Sequence, residues 1–207
     1  MIVTVGNTKG GTGKSTIAFN LAIVRGAWLI DGDRQGTCRM AMAARAGVLP
    51  LVQCDYLPDG KDMVKQVQAS AHKFNDLVID AGGRDSSALR AALAMSDLVL
   101  VPFQPRSLDV WALMDINALI HEARVINPGL RAMAVLSCAD SIGTDNKDAV
   151  EALKDFPELV YLDAPVSRRK AFANAAGNGL SVLEATPKDE KAMAELKKLV
   201  TAVFMPV

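Results

Sequence analysis

The chain has 207 residues, half of them hydrophobic and 22% charged, a size that buries roughly 70% of the surface exposed by the unfolded chain. Its 23 basic and 23 acidic residues cancel, so contact with a polyanion must come from a local patch and not from overall attraction. Three cysteines, Cys38, Cys54 and Cys138, lie far apart with no CxxC pair, which argues against a disulfide framework or a complete one-chain metal site and suits a reducing cytosol.

Residues 2–6 (IVTVG) already read as a strand, which leaves no room for a signal peptide ahead of it. Glycines follow, then a helical pattern over 15–24. Further strands are expected at 28–31, 51–54, 77–80, 98–102 and 133–137, with a short one near 160–162. Helical patterns fill the gaps at 39–46, 61–72, 86–95, 110–125, 147–156, 168–175 and 189–204, and Asn127-Pro128-Gly129 stops the longest of them. The strands are short and nearly bare of charge, as strands buried on both faces are. The alternation predicts an α/β fold, a mostly parallel twisted β-sheet with helices on both faces. No repeat, low-complexity stretch or Pro/Gly-rich linker divides it, so 1–207 is expected to be one domain. None of the apolar runs reaches the ~20 residues of a membrane span.

Ligands of such sheets bind beyond the carboxyl ends of the strands. Three strands end there in chemically loaded residues: Gly6 runs into a lysine-bearing loop, and two others finish at Asp31 and Asp80. A single site could collect all three.

The loop is Lys9-Gly10-Gly11-Thr12-Gly13-Lys14-Ser15-Thr16. Bare glycines let backbone N–H groups turn inward around phosphate oxygens, and the helix that follows adds its positive end to the same place. Lys14 is expected on the β- and γ-phosphates and the Ser15 hydroxyl on Mg²⁺, while Thr16 packs or caps. This is the pattern G-x-x-x-x-G-K-[ST] with its first glycine replaced by Thr8. It predicts a P-loop nucleotide hydrolase that works with Mg²⁺. Lys9 is a second lysine on the far side of the glycines. The loop bends away from it, so it is expected to reach the phosphates of a second subunit.

In these residues the sequence resembles the ParA/MinD group of deviant Walker A ATPases, and within it the small ParA type that partitions plasmids. The segments that carry the resemblance are Asn7 to Thr16, Asp31-Gly32-Asp33-Arg34-Gln35, Leu77-Val78-Ile79-Asp80, Ser96-Asp97, Pro102-Phe103-Gln104-Pro105 and Leu108-Asp109. The first is specific; the others are weak alone but fall in the family's order over nearly the whole chain. The resemblance implies an ATP-sandwich homodimer in which Lys9 contacts the partner's nucleotide, and in which hydrolysis dissolves the pair. It implies that Asp31 supports Mg²⁺ and its water shell, that Asp33 positions or activates the attacking water, and that Asp80 holds Mg²⁺ through water. It also suggests that backbone around Pro165-Val166-Ser167 and Pro102–105 approaches adenine. Arg34 departs from the family, where proline usually follows the second aspartate; without proline's locked φ that loop is looser.

Small ParA proteins bind DNA without sequence preference through basic residues near the C-terminus. The resemblance therefore nominates Arg168, Arg169 and Lys170, with Lys188, Lys191, Lys197 and Lys198 on the last helix, although a charged helix face is as readily a solvated one. The functional expectation is plasmid or chromosome segregation by a cytoplasmic, nucleoid-associated ATPase working with a ParB-like centromere-binding adaptor. A MinD-like ATPase, or another that positions cargo on a membrane or protein complex, is the alternative. A membrane is the less expected surface, because Ala192, Leu196, Leu199 and Val203 share one face of the last helix and suit packing on the sheet. A metallocluster enzyme on the same fold would need cysteines at loop positions that this chain does not offer.

Overall fold

The computed structural model describes residues 1–48, 50–105, 107–140 and 144–205, and within these the side chains of all but 107–112. Leu108 and Asp109, part of the family resemblance, therefore fall outside the described side chains.

In chain order the elements are β1 (Ile2–Gly6), α1 (Lys14–Arg25), β2 (Trp28–Asp31), α2 (Thr37–Ala44), β3 (Cys54–Tyr56), α3 (Gly60–Ser70), β4 (Leu77–Ala81), α4 (Ser87–Met95) and β5 (Leu98–Phe103). There follow α5 (Ser107–Ile126), β6 (Arg131–Ala139), α6 (Asp145–Glu151), β7 (Val160–Tyr161), β8 (Val166–Ser167), α7 (Lys170–Gly177) and α8 (Glu190–Phe204). The sheet has eight strands in the order β3-β2-β4-β1-β5-β6-β7, with β8 joining β6 beyond β7. Every pairing among the described residues is parallel.

Both faces of the sheet are covered, and alternate residues of one strand serve the two cores. Val99 and Val101 point into the core beneath α3, α4 and α5; Leu98 and Leu100 point into the core beneath α1, α7 and α8. This is why these strands read as unbroken apolar runs. Burial of the hydrophobic stripe Ala192, Met193, Leu196, Leu199, Val200 and Val203 seats α8 on the sheet. Among the described residues no helix is long and apolar enough to cross a membrane.

Two expectations need correction. The strand expected at 51–54 forms at Cys54–Tyr56, because β3 is the sheet's edge and pairs only with β2, beginning where Cys54 meets Leu29. The apolar run before it lies outside the ladder, and Leu51 is 74% exposed. The helix expected from 168 begins at Lys170, with Arg169 at its N-cap, because Val166 and Ser167 extend as β8 against Ser137 and Ala139 of β6.

Candidate functional site

β4 and β5 flank β1, so Gly6 and Ala81 come level at the carboxyl edge of the sheet, and β5 runs on past them to Phe103. The loop after β1 is held there from both sides. Asn7, 1% exposed, donates from Nδ2 to the carbonyl of Pro102 at 2.8 Å and accepts the Lys9 N–H on Oδ1 at 3.1 Å. From the β4 side the Arg84 N–H donates to the Thr8 carbonyl at 2.6 Å. From the β5 side Gln104 Nε2 donates to the Gly11 carbonyl at 2.7 Å.

Gly11 and Gly13 sit where backbone geometry demands glycine. Gly13 has φ 84°, and a Cβ there would lie 2.5 Å from Ser137 Oγ. Gly11 has φ 76°. A Cβ at Gly10 or Gly11 would meet nothing within 4 Å, so both main chains face open space. Helix α1 begins directly behind, at Lys14, with no side-chain cap and no acidic residue in its first turn. By contrast, α3 and α8 open on Asp59 and Asp189, which accept from their first N–H groups. An uncapped helix start beside open glycine amides is a place for an anion. The cleft in front of it holds about 560 Å³ and is lined by Thr8, Gly10, Gly11, Gly13 to Thr16, Asp33, Gln35, Thr37, Gly83 and Arg84.

Lys14 is 6% exposed and donates from Nζ to the Lys9 carbonyl at 2.7 Å. Burial lowers its pKa, while the charges of Asp80 and Asp33 push the other way. Asp80 is fully buried beneath the cleft. Its pKa is pushed up to about 6, first by burial, against the neighbouring Ser15 and Cys38 side chains, which favour the charged form. Oδ2 accepts from Cys38 Sγ at 3.2 Å, and Oδ1 has no hydrogen-bond partner. A buried carboxylate oxygen left unpaired carries a desolvation cost that a cation or water would remove. Asp31 is differently engaged: Oδ1 accepts from the Asp33 N–H at 3.2 Å and Oδ2 from the Arg39 N–H at 2.8 Å. It ties the turn to the first residues of α2, and burial raises its pKa first of all. Asp33 lines the cleft, accepts the Gln35 N–H on Oδ1 at 2.9 Å, and sits where a Cβ on Gly82 would come within 3.0 Å of its Cγ.

The structure thus brings Gly10, Gly11, Gly13, Lys14, Ser15, Thr16 and Asp33 to one cleft, with Asp80 beneath it. Thr12 is turned inward, its Oγ1 buried and unpaired. Lys9 borders the loop, half-buried, with its backbone fixed at both ends. Pro165 is not among the residues lining the cleft; its neighbour Val166 pairs with Ser137, which backs Gly13. Of the basic candidates, Arg168 and Lys170 are exposed, whereas Arg169 is committed to Glu195 through bonds of 3.0 and 2.7 Å. Arg168 donates to Gln104 Oε1 at 3.4 Å.

Sequence reasoning missed several contributors, namely Cys38 on Asp80, Gln104 on Gly11, Ser137 behind Gly13, and Arg84. Only the last carried a local signal, as it follows the glycine pair after the Asp80 strand.

These residues fit a magnesium nucleotide. The open amides and uncapped helix suit phosphates, and the unpaired Asp80 oxygen beside the Ser15 hydroxyl suits a hard cation held partly through water. Among the described residues no group of three or more His, Cys, Asp or Glu side chains could hold a metal; Mg²⁺ bound largely by phosphate and water requires none.

No family model matches the chain. It is 30% identical over 192 residues to the maintenance of carboxysome distribution protein A of Gloeobacter kilaueensis, covering 88% of this chain and 84% of that protein. The protein of the same name from Halothiobacillus neapolitanus is 28% identical over 210 residues, covering 97% and 94%. The chromosome-partitioning ATPase Soj of Thermus thermophilus is 27% identical, covering 93% and 91%. Among solved structures, apo McdA of Cyanothece superposes with a TM-score of 0.80 at 15% identity over 98% of each chain. The cell-division ATPase MinD of Pyrococcus furiosus gives 0.73 at 18%, over 98% and 97%. These structures share the fold. With the phosphate loop, its buried aspartate and the sequence relatives taken together, the chain belongs to the ParA/MinD family of deviant Walker A ATPases, enzymes that hydrolyse ATP with Mg²⁺.

Proposed function

We propose that this ATPase positions a cargo by cycling between an ATP-bound dimer that holds DNA without sequence preference and a nucleotide-released monomer that lets go. One observation carries the reading most directly. Gln104 spans from the Gly11 carbonyl of the phosphate loop to the guanidinium of Arg168, so a change at the nucleotide is one side chain away from the basic segment. The relatives' names attach such ATPases to carboxysomes in two cases and to a chromosome in a third. We infer that an adaptor chooses the cargo. A plasmid with a ParB-like centromere-binding adaptor and a protein compartment with its own adaptor are both compatible with this site.

In this reading Gly10 to Ser15 wrap the phosphates through main-chain amides, and Lys14 gives up its bond to the Lys9 carbonyl to meet them. Mg²⁺, when bound, would supply neutralisation of the phosphate charge. Ser15 and Asp80 hold its side of the cleft. Asp31 acts by fixing the turn that carries Asp33, and Asp33 orients the attacking water and accepts its proton. Lys9 reaches across the dimer to the partner's nucleotide, a cation in trans of the kind worth ~10³–10⁵ in rate.

Arg168 and Lys170 are the DNA contacts; Arg169, held by Glu195, steadies the segment. Two phosphate contacts per subunit give about four per dimer, hence a salt slope of about −3.6 and roughly 150-fold weaker binding between 50 and 200 mM salt. Membrane attachment through the last helix is disfavoured because its apolar face is spent on the core. The test is retention of the ATP-bound protein on random-sequence DNA beside retention on anionic vesicles. Nucleotide-dependent, salt-sensitive retention on DNA alone is expected; retention on vesicles alone would replace this reading with the membrane one.

A further inference from the structure

After β4 the chain runs Gly82-Gly83-Arg84. Gly82 has a reason to lack a side chain: a Cβ there would press on Asp33 at 3.0 Å. Gly83 lies against the phosphate loop, where a Cβ would make ordinary contact, 3.5 Å from the Gly10 nitrogen and the Thr8 oxygen. Arg84 then takes φ 82°, a left-handed conformation in which a third glycine would carry no strain. A non-glycine residue held there is a strained backbone position at a cleft, the kind of outlier that marks a functional constraint.

One hydrogen bond holds it: its own N–H is locked onto the Thr8 carbonyl at 2.6 Å, one residue before Lys9. Its residue lines both the phosphate cleft and the adjoining cavity of about 460 Å³ shared by Asp33, Arg34 and Gln35. The nearest carboxylate in sequence, Asp85, is engaged by Arg90 at 2.6 and 2.7 Å and does not neutralise it. Arg84 therefore shares with Asp33 the border between the cleft and that cavity. With phosphates seated on the helix start and Asp33 facing the attacking water, as in the reading above, this border is where the last phosphate of a triphosphate ends and where a diphosphate has none.

We propose that the Arg84 guanidinium is a cationic ligand for the terminal phosphate, supplied in cis from the loop after β4, and that it lets the site tell a nucleoside triphosphate from a diphosphate. The inference rests on nucleotide occupying the phosphate loop. Arginine suits the task because its planar fork pairs with two phosphate oxygens at once.

The test compares the parent, Arg84→Gly and Arg84→Lys, titrated with Mg-ADP and with a Mg-ATP analogue whose β–γ bridge is non-cleavable. Dissociation constants and nucleotide-free melting temperatures are the readouts. Arg84→Gly removes the guanidinium and the strain together, so the nucleotide-free variant should melt no lower than the parent. Its affinity for the analogue should fall roughly tenfold or more, with ADP affinity within about twofold of the parent's, and Arg84→Lys should recover part of the loss. Equal losses for both nucleotides would overturn the proposal in favour of a loop-shaping role, and unchanged analogue affinity would overturn it outright. A parent that binds neither nucleotide would instead bring down the phosphate-loop reading beneath it.

Discussion

Asp80 offers a test of the site in the absence of ligand. Burial pushes its carboxyl from the ordinary 3.8 up to about 6. Between those values the folded protein holds a proton that the unfolded chain releases, so folding stability falls as pH rises. The contribution is complete below pH 3.8 and lost as pH climbs through 6. A displacement of this size corresponds to about 3 kcal/mol, of which about 1 kcal/mol is gone at pH 4.5 and nearly all at pH 7.5. Asp80→Asn stays neutral throughout and keeps an oxygen to accept from Cys38. The variant's stability relative to the parent should therefore improve by about 2 kcal/mol from pH 4.5 to 7.5, or about 4–8 °C in melting temperature for a chain of this size. Urea denaturation in EDTA, without nucleotide, at several pH values reads this directly. A constant offset from the amide cancels, because the trend is what is measured. A difference that stays flat or shrinks with pH would refute the claim that an uncompensated carboxylate lies under the cleft.

Lys9→Ala should bind nucleotide within a fewfold of the parent yet fail to dimerise with ATP; equal dimer fractions by light scattering would remove its role in trans. Asp33→Ala should lower turnover by ~10²–10⁴ and trap the ATP dimer, whereas turnover at the parent rate in a phosphate-release assay would mean that the water is positioned elsewhere. Gly13→Ala forces a Cβ to 2.5 Å from Ser137 Oγ at φ 84°. It should cost about 1–2 kcal/mol from the left-handed backbone alone and abolish nucleotide binding. Adding Ser137→Gly should relieve the clash but not the backbone cost, so full recovery of the melting temperature would contradict the geometry.

What could be read along the chain differs in kind from what could not. The strand at residues 2–6, the glycines and Lys14 lie within fifteen consecutive residues, and their conformations follow from local rules: glycine where φ is positive, a helix start where N–H groups are needed. Val99 and Leu100 announce a doubly buried strand by being apolar in succession, and they serve opposite cores. Leu51 and Val52 make the same announcement falsely, because an apolar pair cannot say whether a neighbouring strand will be level with it. The basic run Arg168-Arg169-Lys170 looked uniform, yet Glu195 takes one member and Gln104 another. No periodicity carries that information.

Order of elements, the phosphate loop and the sheet's two-sided burial were written in the sequence, since each depends on residues close together or on simple alternation. Tertiary structure alone decided that Cys38 reaches Asp80, that Gln104 reaches Gly11, and that Arg84 sits against Thr8, contacts spanning 42, 93 and 76 residues. The sheet's order sets β4 and β5 on either side of β1, and only that lateral arrangement brings such distant side chains to one edge.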